Sequence, residues 1–294
     1  MQLERGLWEV GHSEYHSSRT AISHSALETF RWSPALYRQN YLTTTPLPSD
    51  SAAFALGRAL HVRLLEPEQW SKLVVVKPRW DARTKAGKIA RESFERFLSR
   101  RLLDFYGDKD DLTVISADDE ELVDGMVAGV LANPIAFTLL AEPGLREQAV
   151  RWPWSPATWL KCKFDLLTDT DMVVDVKTAA DPSPRAFAQA AGKYGYHRQA
   201  ALYQDGALQG LERSSTTHVY IVICKQPPHD CHVYRLGQRS LQAGRRQNEL
   251  DLARLEQCRL ADSWGVQTEI VELDVAAWAM TDAVDGPDVV GLDW

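Results

Sequence analysis

Hydrophobic and polar residues follow two different periods along the chain. In the first half, apolar positions recur every three to four residues, which predicts helices near residues 24–42, 53–66, 83–104 and 118–132. Later, short apolar runs bounded by turn residues predict strands near residues 149–154, 159–167, 172–178, 217–224 and 231–236. An Ala- and Gln-rich stretch from Pro184 to Leu208 predicts one helix with a wobble near residues 192–195, and a last helix is expected near 238–262. This order predicts an α/β fold with a mixed central sheet flanked by helices, preceded by a helical region.

The same pattern predicts three parts: an N-terminal helical region over residues 1–145 packed on the core, a core over 146–264, and an acidic tail over 265–294. With 294 residues and 45% hydrophobic content, the chain can bury a full core. No Lys or Arg follows Arg259, whereas eight acidic residues do. Most such tails are merely solvated. Apolar residues in this one, such as Trp278 and Trp294, leave a docking role open.

Several classes of protein are not indicated. No apolar run approaches the roughly 18 residues of a membrane span, and the first ten residues lack the apolar stretch of a signal peptide. A cytoplasmic location without membrane contact is therefore expected. The four cysteines show no C-x-x-C spacing, which speaks against a zinc site, a disulfide framework or an iron–sulfur cluster.

The two strands near residues 159–178 carry charged residues where apolar ones are usual. Asp165 lies in the first strand, Asp175 and Lys177 lie in the second, and Thr168 to Asp171 between them suit a turn. A β-hairpin would bring the two carboxylates and the ammonium together, and hard carboxylate oxygens suit Mg²⁺ or Mn²⁺. The alternatives are a solvated surface hairpin and a structural Asp–Lys ion pair.

Two further segments suit contact with a polyanion. Gln199 and Tyr203 lie one helical turn apart, and such side chains can hydrogen-bond phosphate oxygens, although an ordinary amphipathic surface is the commoner meaning. The whole chain has a net charge of −7, yet residues 72–101 contain ten basic and three acidic residues, a local charge of +7. We expect Arg83, Lys85 and Lys88 from this segment to face phosphates, with a solvated helix face as the alternative.

Together these motifs resemble a known nuclease family. The succession Asp165, Asp175-Val176-Lys177 and Gln199-x-x-x-Tyr203 is similar to the RecB-like branch of the PD-(D/E)xK nuclease superfamily. Upstream, Gly57-x-x-x-His61 and Asp81-x-Arg83-Thr84-Lys85-x-Gly87-Lys88 resemble the RecE (exonuclease VIII) recombination exonucleases of phages and prophages. The resemblance covers roughly residues 15 to 210, and it departs from the superfamily pattern at Phe164, which stands in place of Pro before the first Asp.

The resemblance implies a role for each matching residue. Asp165, Asp175 and the backbone carbonyl of Val176 would bind one or two Mg²⁺ ions, which Mn²⁺ could replace, and Lys177 would be the catalytic lysine. His61 would be a further metal ligand, although its apolar helical surroundings alone favour a core histidine. Glu147 matches a position that is often acidic near the metal in related nucleases, and at the start of a strand it is unremarkable by itself. Gln199 and Tyr203 would contribute to catalysis and DNA contact.

The resemblance also implies an activity: metal-dependent exonuclease cleavage of double-stranded DNA from its ends, 5′ to 3′, to leave 3′ single strands for homologous recombination. It further implies a homo-oligomer and a single-strand annealing protein as a partner. One alternative is a RecB-like nuclease of other specificity, either an endonuclease or a single-strand nuclease. Another is an inactive DNA-binding module with the same fold.

Overall fold

A six-stranded mixed sheet forms the centre of the protein in the order β1-β4-β5-β6-β7-β8. The computed structural model describes residues 3–43, 52–104, 112–214, 216–265, 270 and 272–275. Within these, the strands are β1 (Gly6–Trp8), β2 (Val74–Lys77), β3 (Thr113–Ser116), β4 (Gly144–Ser155), β5 (Thr158–Thr168), β6 (Met172–Ala179), β7 (Thr217–Cys224) and β8 (Cys231–Arg235). Strands β6 and β7 run parallel, and the other neighbours in this sheet run antiparallel.

Helices cover both faces of the sheet. They are α1 (His12–Ser17), α2 (His24–Trp32), α3 (Pro34–Tyr37), α4 (Ala52–Leu65), α5 (Trp70–Leu73), α6 (Lys85–Asp104), α7 (Ala117–Ala132), α8 (Pro134–Ala141), α9 (Pro184–Lys193), α10 (Tyr196–Asp205) and α11 (Gln238–Ala261). Short π-helical turns follow α3 and α10. The predicted α/β fold with a mixed sheet between helices is confirmed.

Each face of the sheet has its own apolar core, as alternating side chains of a buried strand require. Phe30 of α2 and Leu255 of α11 pack with Phe164 on one face. Leu60 of α4 and Met126 of α7 pack with Val174 on the other. Helix α4, which carries His61, is therefore held against the strands that carry the predicted carboxylates.

Gly195 interrupts the stretch from residue 184 to 208, which we predicted to be one helix with a wobble near residues 192–195. Its φ of +72° is in the left-handed region, and a Cβ there would lie 2.4 Å from the guanidinium of Arg198. The chain therefore forms α9 and α10 instead of one helix. Local composition favoured a helix throughout, but the left-handed backbone at Gly195 and the close approach of Arg198, which donates to Glu28 at 2.6 Å, require a glycine there.

The predicted N-terminal helical region also contains strands. β1 pairs with β4 through Trp8 and Ala149, and β2 and β3 form a separate two-stranded parallel sheet on which Phe94 and Leu98 of α6 pack. The basic segment 72–101 lies mainly in α6. Most of the predicted acidic tail lies outside the described residues. Within the described part of the chain, no single helix has the length and apolar character of a membrane span. Helices α7 and α8 have that length and character only when taken together, and a 96° bend separates them.

Candidate metal centre

Strands β5 and β6 diverge beside Asp165. The two strands pair directly at Leu166 with Val174 and at Leu167 with Val173, close to their connecting turn. Further along, the Asp165 carboxylate accepts a hydrogen bond from the Val176 amide at 2.8 Å. The Asp165 side chain thus accepts from a backbone N–H that would otherwise donate to a carbonyl of the neighbouring strand.

His61 of α4 faces this opening. Its Nδ1 lies 3.6 Å from Asp165 Oδ1 and 3.4 Å from Glu147 Oε1, and its Nε2 lies 3.3 Å from the carbonyl oxygen of Val176. One ligand atom from each of His61, Glu147 and Asp165 lies within 4.8 Å of the others. The Nδ1 nitrogen of the imidazole and two carboxylate oxygens at this spacing fit one divalent ion, while the Val176 carbonyl faces the other ring nitrogen, Nε2.

Glu147 reaches the group from a strained backbone position. Its φ is +49°, unusual for a residue other than glycine, and such conformations cost about 1–3 kcal/mol. The neighbouring pairs, Arg146 with Leu166 and Gln148 with Phe164, place Glu147 opposite Asp165. Strained conformations of this kind are concentrated at functional sites, where the surrounding structure maintains them. Here the pairing of β4 with β5 on both sides of Glu147 maintains the strain and keeps Glu147 directed towards His61 and Asp165.

Lys163 is a member of this site that we did not predict. Its Nζ lies 2.6 Å from Glu147 Oε2, and both side chains are only 15% exposed. Its position two residues before Asp165 places it on the same face of β5, and this spacing could have identified it. Two more groups, His12 and Glu66, lie close enough to interact electrostatically with Glu147 and Lys163.

Asp175 and Lys177 form a separate pair. The Lys177 ammonium contacts the Asp175 carboxylate and lies 5.2 Å from the centre of the Tyr196 ring. Asp175 is 1% exposed, and the described part of the chain provides its oxygens with no well-directed hydrogen bond. Strand alternation puts Asp175 on the face of Val173, away from Val174 and Val176, so it stands outside the group of three.

The charges at the site shift one another's pKa values. Burial alone would lower the pKa of His61, but the Asp165 and Glu147 carboxylates outweigh it and raise that pKa to about 9. Burial, with a further contribution from Asp175, raises the pKa of Asp165 to about 6. Burial also opposes ionisation of Glu147, yet His61 and Lys163 lower its pKa well below the usual value. Perturbed values of this size are typical of functional sites.

The other predicted contact residues lie on α10 and in or just before the first turn of α6. The Tyr203 ring packs edge-to-face on Phe164 at 5.8 Å, and Gln199 is half-buried one turn earlier on α10. Arg83, Lys85 and Lys88 are exposed at the start of α6, where Arg83 Nε also lies 3.2 Å from Asp81 Oδ1. DNA contact by these five residues stays a prediction.

Comparisons with known proteins agree with this fold. The model of a family described as "PDDEXK-like domain of unknown function (DUF3799)" matches residues 23–274. The crystal structure of a protein from Eubacterium rectale named as a "putative exonuclease" superposes with a TM-score of 0.59 and 12% identity, over 94% of this chain and 100% of that one. No curated protein matches. Because the family model spans most of the chain, this protein belongs to the PDDEXK-like family DUF3799.

Proposed function

We propose that this protein is a metal-dependent exodeoxyribonuclease that hydrolyses phosphodiester bonds of double-stranded DNA, 5′ to 3′, and produces 3′ single strands for recombination. The observation that carries the proposal is the convergence of His61, Glu147 and Asp165 in the opening between β5 and β6. Exonuclease specificity, polarity and recombination come from the resemblance to RecE.

The residues of the site have different roles in hydrolysis. His61, Glu147 and Asp165 would hold a Mg²⁺ ion, for which Mn²⁺ can substitute. The Val176 carbonyl, which faces His61 Nε2, would join these ligands if the imidazole ring turns. When bound, such an ion polarises the scissile phosphate and lowers the pKa of water. Lys177 orients the attacking water and offers a proton at Nζ, and Asp175 holds Lys177 in position. Asp175 can join the metal ligands only by exchanging that lysine contact.

Residues outside the metal centre bind the DNA substrate. Arg83, Lys85 and Lys88 contact phosphates of the duplex, which fits their exposure at the start of α6. Gln199 and Tyr203 lie on α10, beside the strands of the site. A homo-oligomer, an annealing protein as partner and a cytoplasmic location belong to the same proposal.

A substrate comparison tests the proposal. Linear and covalently closed circular duplexes are incubated with Mg²⁺ or with chelator, and the linear duplex carries a label at either the 5′ or the 3′ end. Digestion of linear DNA alone, with early release of the 5′ label, is expected. Equal cutting of both duplexes would make the protein an endonuclease, and a preference for single strands would also reject the proposed substrate. Binding without cleavage would leave a DNA-binding module.

A further inference from the structure

Three carboxylates and two ammonium groups lie at or near the metal centre, and only two of the carboxylates contact an ammonium. Lys163 is paired with Glu147, and Lys177 is paired with Asp175. Asp165 contacts neither ammonium; it faces the His61 ring and the amide of Val176. One of the three group members, Glu147, therefore already has a cation on one of its two oxygens.

The geometry of Glu147 separates its two oxygens. Oε2 contacts Lys163, while Oε1 is directed to His61 Nδ1. The salt bridge thus holds Oε1 towards the side on which His61 and Asp165 lie. Because both side chains are largely buried, this pair is screened much less by water and salt than an exposed pair would be.

The same salt bridge opposes binding of a metal ion. A divalent ion among His61, Glu147 and Asp165 would lie only a few ångströms from the Lys163 ammonium, which contacts Glu147 Oε2, and like charges at that distance repel strongly in a partly buried site. Lys163 also reduces the charge that Glu147 presents to the ion. Orientation of Glu147 favours binding and repulsion opposes it. Repulsion is the larger effect, because it acts directly between two cations in a partly buried site, whereas ordering one glutamate side chain costs only its rotamer entropy.

We infer that Lys163 is a positioning residue that acts as an internal counter-cation: it holds Glu147 in place in the metal-free protein and weakens the affinity of the site for a divalent ion. This inference rests on the proposed function, because it takes His61, Glu147 and Asp165 as metal ligands. It explains how a buried acidic group can be stable before metal is bound. It also predicts a site whose ion exchanges readily.

Binding of Mn²⁺ alone to the full chain tests the inference, with free Mn²⁺ measured by electron paramagnetic resonance. Lys163→Met is expected to lower the Kd for Mn²⁺ at least about tenfold, or about 1.4 kcal/mol, whereas Lys163→Arg should keep the wild-type Kd. In chelator, Lys163→Met should unfold at a lower temperature than wild type, and Mn²⁺ should raise its melting temperature by more than it raises that of wild type. Lys163→Gln provides a second neutral variant if the Met variant folds poorly.

Lys161 offers a matched control on the same strand. Its ammonium contacts the carbonyl oxygens of Tyr15 and Ser18, away from the group of three. Lys161→Met should therefore lower stability without changing the Kd for Mn²⁺. A neutral Lys163 variant that binds Mn²⁺ as wild type does, or more weakly, would overturn the inference, since Lys163 would then be only structural or only orienting.

His61→Ala separates this failure from failure of the proposed function. If the wild-type protein has no Mn²⁺ site that is lost in His61→Ala, both the proposed function and the inference are wrong. If that site exists and neutral Lys163 variants do not tighten it, only the inference is wrong.

Discussion

The Asp165 carboxylate and the Val176 amide are joined by a 2.8 Å hydrogen bond where β5 and β6 no longer pair directly. The bond occupies Oδ2, which leaves Oδ1 directed to His61. The Asp165 carboxylate thus has two roles: it accepts a backbone hydrogen bond where the hairpin strands diverge, and it supplies a ligand atom to the candidate metal centre.

Asp165→Asn should separate these two roles. The amide side chain keeps an oxygen that can accept from Val176, but it loses the negative charge. We expect a folded protein whose DNA cleavage is reduced by at least about 100-fold, because the hard anionic ligand is gone. Asp169→Asn, an exposed acid in the turn of the same hairpin, should cleave as wild type does. Cleavage by Asp165→Asn above a tenth of the wild-type rate would exclude Asp165 as a necessary ligand.

Metal affinity should depend on pH through His61. Its pKa of about 9 in the metal-free protein means that the imidazolium dominates at neutral pH, and a metal ion binds only the neutral ring. The Kd for Mn²⁺ should therefore fall by about tenfold per pH unit between 7 and 9 and level off above that range. In metal-free protein, the stability contributed by the His61–carboxylate contacts is fully present below pH 6.5 and is lost as pH rises through 9. Calorimetry in buffers of different ionisation enthalpy would count the released proton, and a pH-independent Kd would contradict the assignment.

Lys177→Met should impair the chemical step more than substrate binding. Lys177 is held by Asp175 and lies near enough to His61 and Asp165 to interact with them electrostatically, and removal of a general acid–base group typically reduces kcat by about 10² to 10⁴. The Kd for duplex DNA, measured in Ca²⁺ to prevent cleavage, should stay close to that of wild type. Lys193→Met is a matched control, because Lys193 also lies over a tyrosine ring, that of Tyr194. A loss confined to DNA affinity would show that Lys177 binds phosphate and does not take part in the reaction.

The start of α6 should contribute to DNA binding through its charge. Replacement of Arg83, Lys85 and Lys88 by Ala should reduce the salt dependence of log K by roughly two to three units, since each phosphate contact contributes about 0.9 for duplex DNA. Arg235, Arg239 and Arg246, exposed on β8 and α11, form a control set with the same change in charge. Equal effects of both triple variants would show that only net charge matters.

His218 should make the protein less stable in mild acid. It is fully buried, neither ring nitrogen has a hydrogen-bond partner in the described part of the chain, and burial lowers its pKa to about 4. Below pH 6.5 the His218 ring binds a proton in the unfolded state but not in the native state. The free energy of unfolding therefore falls between pH 6.5 and 4. His218→Leu should remove the contribution of this residue and stabilise the fold at pH 5 by about 1–3 kcal/mol, as seen in urea denaturation. Part of the acid dependence should remain, because burial also lowers the pKa of His24 to about 4. A steeper loss with acid in the variant would contradict the prediction.

Much of the fold was predictable because the strands around the site are strongly apolar. Val173, Val174 and Val176 identify β6, and the turn residues before them identify the hairpin. Strand β1 was not predicted, because three residues show too little alternation and its formation depends on pairing with β4. The break at Gly195 was predicted only as a wobble, because the composition on both sides of it favours a helix.

The candidate site was predictable by residue type and less so by arrangement. The hairpin accounts for Asp165, Asp175 and Lys177, but the hairpin alone suggested that both carboxylates converge on one point. In the structure β5 and β6 separate, so Asp165 joins His61 while Asp175 stays with Lys177. This separation is a tertiary effect. The spacing of two residues places Lys163 on the same face of β5 as Asp165, but its pairing with Glu147 depends on how the neighbouring strand positions Glu147.

The edge strand β1 has a consequence for the order in which the protein assembles. Residues 6–8 are synthesised well before their partners, residues 149–151. The sheet therefore cannot acquire this edge until residues 149–151 have been synthesised, and closing so long a loop is entropically slow. Until the loop closes, the outer side of β4 is an unpaired strand edge, which is prone to association with other chains.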